Sequence, residues 1–177
     1  SEMCIRDRFI AICDDDIQFI YKLEQSIFRF AEMKRIKVDV DGYTSGAEFI
    51  QKLQQSERYD LLFLDIELGD SSGIIVGNWI RSQIQYESMQ IVFVSAKEMY
   101  AMQLFDLRPM NFLVKPIQQE RVDYILDEYE RLYQFQPHII EIGKGRNSIR
   151  IEEHSVFYLQ SLARKIQVVT ANDILCV

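Results

Sequence analysis

Asp60-Leu61-Leu62-Phe63-Leu64-Asp65 sets four apolar residues between two aspartates. A short apolar run with polar ends reads as a strand buried on both faces, as in a parallel sheet. Asp65 closes the run, and Ile66-Glu67-Leu68 leads into the loop Gly69-Asp70-Ser71-Ser72-Gly73. In open α/β sheets, ligands bind just outside the carboxyl ends of the strands. Asp65 is therefore a candidate site residue. The plainer reading is that it caps the next helix, a common task for aspartate. The residues on either side decide between the two.

Upstream, Phe9-Ile10-Ala11-Ile12-Cys13 is a second apolar strand, ending in Asp14-Asp15-Asp16. Ile20, Leu23, Ile27 and Phe30 then recur at helical spacing between Ile17 and about Arg35. Ile36 to Val40 alternates as a strand does, and Ser45-Gly46-Ala47-Glu48 is a capping-box pattern. It opens a helix with Phe49, Ile50 and Leu53 inward. Downstream, a helix is expected from Ile74 to about Ile84 and a buried strand over Gln90–Ser95. A short helix follows from Lys97 to about Asp106, then a strand over Asn111–Val114, stopped by Lys115-Pro116. Gln118 to about Gln134 reads as a helix with Val122, Ile125, Leu126, Tyr129 and Leu132 on one face. Strand and helix thus alternate five times between residues 9 and 134. The expected fold is α/β, a doubly wound five-stranded parallel sheet with helices on both faces.

The pattern changes near Pro137. Ile139–Ile142, Ser148–Ile151, Val156–Leu159 and Lys165–Val169 read as strands, with Gly143-Lys144-Gly145-Arg146-Asn147 as a hairpin-like turn. Residues 138–177 are thus expected to be a partial all-β second domain. A stretch this short is near the lower limit for a core that folds unaided, so the chain reads as truncated inside that domain. Residues 1–8 fit neither helix nor strand and read as a leader.

Charge is uneven. Residues 1–136 carry 15 basic and 23 acidic side chains, residues 137–177 five and four. An acidic first part argues against nucleic-acid binding there. Cys4, Cys13 and Cys176 are scattered and form no paired motif, which fits a reduced cytoplasmic protein. No apolar run approaches the roughly 18 residues of a membrane span.

Asp14-Asp15, Asp65 and Ser95 all end strands, and Lys115 follows a fourth. In a parallel sheet these ends share one edge. Carboxylates gathered there repel one another unless a cation sits among them, and oxygen ligands suit magnesium. Lys115 supplies a positive charge and Ser95 a hydroxyl donor. Asp65 can then act as a nucleophile toward phosphorus, with that charge stabilising the phosphoryl oxygens. Each residue also has an ordinary structural role open to it. Asp14–Asp16 can form a solvated helix start, Ser95 can be a plain strand-end hydroxyl, and Lys115 an exposed turn residue.

The runs Ile10–Asp16, Asp60–Ile66, Val92–Ala96 and Phe112–Pro116 resemble the receiver domain of bacterial two-component response regulators, a flavodoxin-like fold, over residues 9–134. The resemblance implies Asp65 as phospho-acceptor, with Asp14, Asp15, Asp65 and the Glu67 backbone carbonyl holding Mg2+. It implies Ser95 as the switch hydroxyl, Phe112 at the aromatic switch position and Lys115 as partner of the phosphoryl group. The Lys115–Pro116 bond is often cis in that family. Tyr is common where Phe112 stands, and a proline missing here is common in the Gly69–Gly73 loop. Residues 138–177 are similar to the start of a LytTR-type DNA-binding domain, through Ile149–Ser161 and Arg164–Thr170. That resemblance offers Arg164 and Lys165, in a polar turn, for phosphate or base contact.

The implied function is a response regulator, not an enzyme. A sensor histidine kinase phosphorylates it, its surface shifts around the Lys97–Asp106 helix and the fifth strand, and a homodimer meets promoter DNA. Two rivals are an aspartate-nucleophile phosphatase using Asp14 and Asp16, and a receiver acting only through protein contacts.

Overall fold

A computed structural model describes residues 8–133, 139–142, 149–152, 156–162, 165–170 and 174–176. The elements are β1 (Arg8–Cys13), α1 (Ile17–Lys34), β2 (Val38–Tyr43), α2 (Gly46–Gln54), β3 (Leu61–Asp65) and α3 (Gly73–Ser82). A 3₁₀ turn (Ile84–Tyr86), β4 (Gln90–Ser95), a 3₁₀ helix (Glu98–Leu107), β5 (Asn111–Val114) and α4 (Gln119–Tyr133) follow. The five strands pair in parallel in the order β2-β1-β3-β4-β5. The chain winds to one side of β1 for β2 and to the other for β3. The crevice between β1 and β3 is where this topology places a ligand.

Alternation along the strands splits the core into two layers. Ala11, Cys13, Leu62, Leu64, Ile91 and Phe93 pack with Phe49 and Leu53 of α2 and Val76 and Ile80 of α3. Ile10, Ile12, Leu61, Phe63, Val92 and Val94 alternate with them and are equally buried. α1 and α4 are neighbours: Gln119 Nε2 donates to the Ser26 carbonyl at 3.0 Å, and Lys34 pairs with Asp127 at 2.7 Å. β3 is buried at all five positions, so the reading of a strand covered on both faces holds. Asp60 lies just before it and ties it to β1, accepting from the Phe9 amide at 3.0 Å.

Several expected boundaries move for local reasons. Arg8 belongs to β1, pairing with Val38, so it is not part of a leader; residues 1–7 lie outside the described residues. β2 starts at Val38 because α1 ends on Arg35 in the left-handed region at φ 56°. The Ile36 amide then bonds back to the Ala31 carbonyl. The helix expected from Lys97 is a 3₁₀ helix, with three residues per turn. Leu104 and Leu107 are accordingly buried on one column, while Met99, Met102 and Phe105 are exposed on another. Leu132 of α4, expected on the inward face with Val122 and Ile125, is 41% exposed instead.

Of the later residues, β6 (Ile139–Ile142) and β7 (Ile149–Glu152) pair antiparallel. β8 (Val156–Leu162), β9 (Lys165–Thr170) and β10 (Ile174–Cys176) form an antiparallel sheet in the order β10-β9-β8.

Candidate functional site

The carboxyl ends of β1, β3, β4 and β5 bring the expected residues together. Asp14, Asp65 and Ser95 are the buried polar side chains among the described residues, with exposures of 1%, 5% and 0%. A carboxylate oxygen from each of Asp14, Asp15 and Asp65 lies within 4.8 Å of the others. Lys115, whose backbone N–H donates a hydrogen bond to the Ser95 carbonyl, reaches across the crevice. Its Nζ lies 2.6 Å from Asp14 Oδ2 and 3.3 Å from Asp65 Oδ2. The Lys115–Pro116 bond is cis.

The ordinary roles turn out to be shared out among neighbours. Asp16 caps α1, accepting from the amides of Gln18 at 2.9 Å and Phe19 at 3.3 Å. Asp14 instead turns inward, its other oxygen accepting from the Asp16 amide at 2.9 Å. Ser72, not Asp65, caps α3 through the Ile74 amide. Asp65 is thus left for the crevice. Ser95 Oγ accepts from the Lys97 amide at 3.0 Å. The side chain of Glu67 points away to an exposed ion pair with Lys97, 2.5 Å apart, which links the loops after β3 and β4. Phe112 is half-buried against the core. It lines a surface groove of about 380 Å³ with Glu98, Ala101 and Pro116.

Electrostatics follow from that geometry. Burial pushes the Asp14 carboxyl above the ordinary carboxylate range, although Lys115 pulls it back. Burial, and then the charge of Asp14, push Asp65 up as well, again against Lys115. Burial works against the Lys115 charge, but its hydrogen bond to Asp14 and the charges of both aspartates outweigh this and hold it above the usual lysine value. Three carboxylates facing one ammonium are a set of hard oxygen donors short of positive charge. That set fits a divalent cation such as magnesium, which takes one or two carboxylates together with waters and phosphate oxygens.

Arg164 lies outside the described residues. Lys165 opens strand β9, opposite Leu162, rather than lying in a turn, and its side chain lies outside the described residues.

Four residues that matter here went unread in the sequence. Asp70 spans 23 and 24 residues to accept from the amides of Ala47 and Gly46, both at 3.1 Å, and nothing local announces such a reach. Gly73 is required because a Cβ there would lie 2.0 Å from the Asp65 carbonyl oxygen. Lys97 follows Ser95 by the same two residues that separate Glu67 from Asp65, a matched offset of opposite charges that was legible. Phe19 lies under the Lys115 ammonium, 4.2 Å from ring centroid to Nζ.

The sequence pattern of the response regulator receiver domain matches residues 10–127. Among curated relatives, the sensory transduction protein LytT of Bacillus cereus is 30% identical over 148 residues, 83% of this chain and 56% of that protein. The chain thus spans about half the length of that relative. The response regulatory domain of protein mrkE from Klebsiella pneumoniae superposes with a TM-score of 0.63 at 22% identity, covering 72% of this chain and 99% of that one. The response regulator TrrA of Thermotoga maritima, solved in complex with Mg(2+)-BeF, gives 0.59 at 22% identity over 69% and 98%. These two likenesses bear on the fold alone. A 2-1-3-4-5 parallel sheet, an acidic cluster at its β1/β3 crevice and a receiver pattern over most of its length agree: the chain belongs to the response regulator receiver family.

Proposed function

We propose that the chain is the receiver of a two-component phosphorelay, with Asp65 as the phosphoryl acceptor and a sensor histidine kinase as the donor. The observation that carries this is Lys115, held between the buried carboxylates of Asp14 and Asp65 where the sheet reverses its winding.

An Asp65 oxygen forms the new bond to phosphorus, and the donor's bond to phosphorus breaks with its electron pair leaving on the donor. With acetyl phosphate as donor, acetate leaves and no proton need move. Asp14, Asp15 and Asp65, with the Glu67 backbone carbonyl, would hold a magnesium ion, which supplies charge neutralisation for the phosphoryl oxygens. Lys115 meets the same charge with its ammonium, where burial strengthens the interaction. Ser95 Oγ exchanges its contact with the Lys97 amide for a phosphoryl oxygen. Phe112 follows into the space that Ser95 leaves, which reshapes the groove beside Glu98 and Ala101. This is a two-state surface biased by a local charge change.

The phosphatase rival needs Asp14 and Asp16 as a pair, but Asp16 is engaged at the α1 terminus. That engagement favours a receiver, which takes up a phosphoryl group, over a turnover phosphatase. We extend the reading to the output on sequence similarity alone. Residues 138–177 begin an all-β LytTR-type DNA-binding domain, Arg164 and Lys165 contact promoter DNA, and phosphorylation promotes a homodimer in the cytoplasm. Among the described residues no helix is long and apolar enough to cross a membrane.

Intact mass after incubation with magnesium and acetyl phosphate tests the core of this. One added phosphoryl group in the wild type, and none in Asp65→Asn, is expected. Equal uptake by both chains would refute it.

A further inference from the structure

The third residue of the acidic run has a consequence for the lysine. Asp16 caps α1 by accepting from the Phe19 amide, which sets the first turn of that helix and so the start of the Phe19 side chain. The half-buried Phe19 ring faces the Lys115 ammonium at 4.2 Å. Among the described residues the next-shortest approach of a cation to a ring is Arg58 over Tyr86, at 5.1 Å. Lys115 itself is only 21% exposed, so its charge meets the ring with little intervening water. An ammonium has three N–H bonds. Asp14 and Asp65 take two directions, and the ring lies close beside them.

We infer that Phe19 is a positioning residue for phosphoryl transfer, its ring face holding the Lys115 ammonium over the Asp14 and Asp65 carboxylates. This rests on Asp65 being the phosphoryl acceptor. The transfer itself is unchanged: acetyl phosphate loses acetate with the electron pair of the broken P–O bond, and Asp65 gains the new P–O bond. Lys115 must stay on the reacting side as charge moves from the carboxylate onto the phosphoryl oxygens. A water or a carboxylate in the place of the ring would compete for its N–H groups. An aromatic face attracts the cation through its quadrupole without offering a rival acceptor oxygen. It also lowers the local dielectric, so the lysine charge acts more strongly on the oxygens it faces.

The test is the rate of phosphoryl uptake by the full chain, followed by intact mass with magnesium and acetyl phosphate. The chains to compare are wild type, Phe19→Leu, Phe19→Tyr, and chains with phenylalanine of one, two and three ring fluorines at position 19. Fluorination drains the quadrupole while nearly preserving shape, so a packing role alone would not respond to it. The rate should fall about twofold to thirtyfold in Phe19→Leu, the range that cation–π energies span. It should fall stepwise with each fluorine and stay close to wild type in Phe19→Tyr, with the unfolding midpoints of the fluorinated chains unmoved. A flat rate across the fluorine series overturns the inference, whatever Phe19→Leu does, provided the wild type labels. A wild type that takes up nothing overturns the acceptor reading itself and this inference with it.

Discussion

Lys115 Nζ is closer to Asp14, at 2.6 Å, than to Asp65, at 3.3 Å. The lysine is anchored on Asp14 and leans toward Asp65, the proposed phosphoryl acceptor. Removing it leaves two buried carboxylates facing each other. Lys115→Ala is expected to cost about 1–3 kcal/mol at pH 8, below the usual cost of breaking a buried pair because Lys115 is partly exposed. Both aspartates already titrate above the ordinary carboxylate range, and losing the lysine raises them further. A folded state with raised carboxyls binds protons more readily than the unfolded chain, so its stability falls as pH rises. The gap between wild type and variant should therefore widen from pH 5 to pH 8. Urea unfolding at several pH values checks this.

Asp65→Asn should stabilise the apo protein. Burial and the Asp14 charge make the ionised Asp65 costly in the folded state, and an amide of the same shape removes that cost. The melting temperature at neutral pH should rise by several degrees. Magnesium should raise the wild-type midpoint, since a ligand that binds only the folded state stabilises it. It should raise that of Asp65→Asn much less. Thermal unfolding with and without the ion reads both effects.

Asp70 makes a different pH prediction. Its hydrogen bond from the Ala47 amide, followed by that from Gly46, holds its carboxyl below the usual range. A carboxyl depressed on folding contributes stability that is present above its unfolded pKa and lost as pH falls through its folded one. Asp70→Asn should flatten the acid side of the stability profile below the ordinary carboxylate range. At neutral pH it should cost about 1 kcal/mol or less, the scale of a helix cap on an exposed side chain. Circular dichroism of acid unfolding for the two chains tests it.

Gly73→Ala should be far more damaging than its size implies. The added Cβ would stand 2.0 Å from the Asp65 carbonyl oxygen and 2.9 Å from its carbon. Neither atom can yield without moving the strand end that carries Asp65. A loss of about 3 kcal/mol or more and loss of phosphoryl uptake are expected. Retained uptake at wild-type rate would contradict the tight fit between the α3 start and β3.

Most of the sheet was legible because buried parallel strands are written as short apolar runs. Asp60–Asp65, Phe9–Cys13 and Gln90–Ser95 carry that signature unmistakably, and their polar end residues named Asp14, Asp65 and Ser95. The sequence could not divide labour within Asp14-Asp15-Asp16. Which aspartate caps and which turns inward depends on where α1 begins relative to the crevice. The contacts of Asp70 with the α2 start and of Phe19 with Lys115 join residues 23 to 96 positions apart, so no local pattern encodes them. The 3₁₀ winding over Glu98–Leu107 was also hidden, because apolar residues at spacing three suit either helix.

Asp65 is the proposed point of phosphoryl attachment. An acyl phosphate is reduced by borohydride, which converts the modified aspartate to homoserine and marks its position permanently. Peptide mass analysis of the protein treated with acetyl phosphate, magnesium and then borohydride should find homoserine at position 65 and aspartate at 14, 15 and 16. Homoserine at position 14 with intact Asp65 would contradict the account and restore the phosphatase reading.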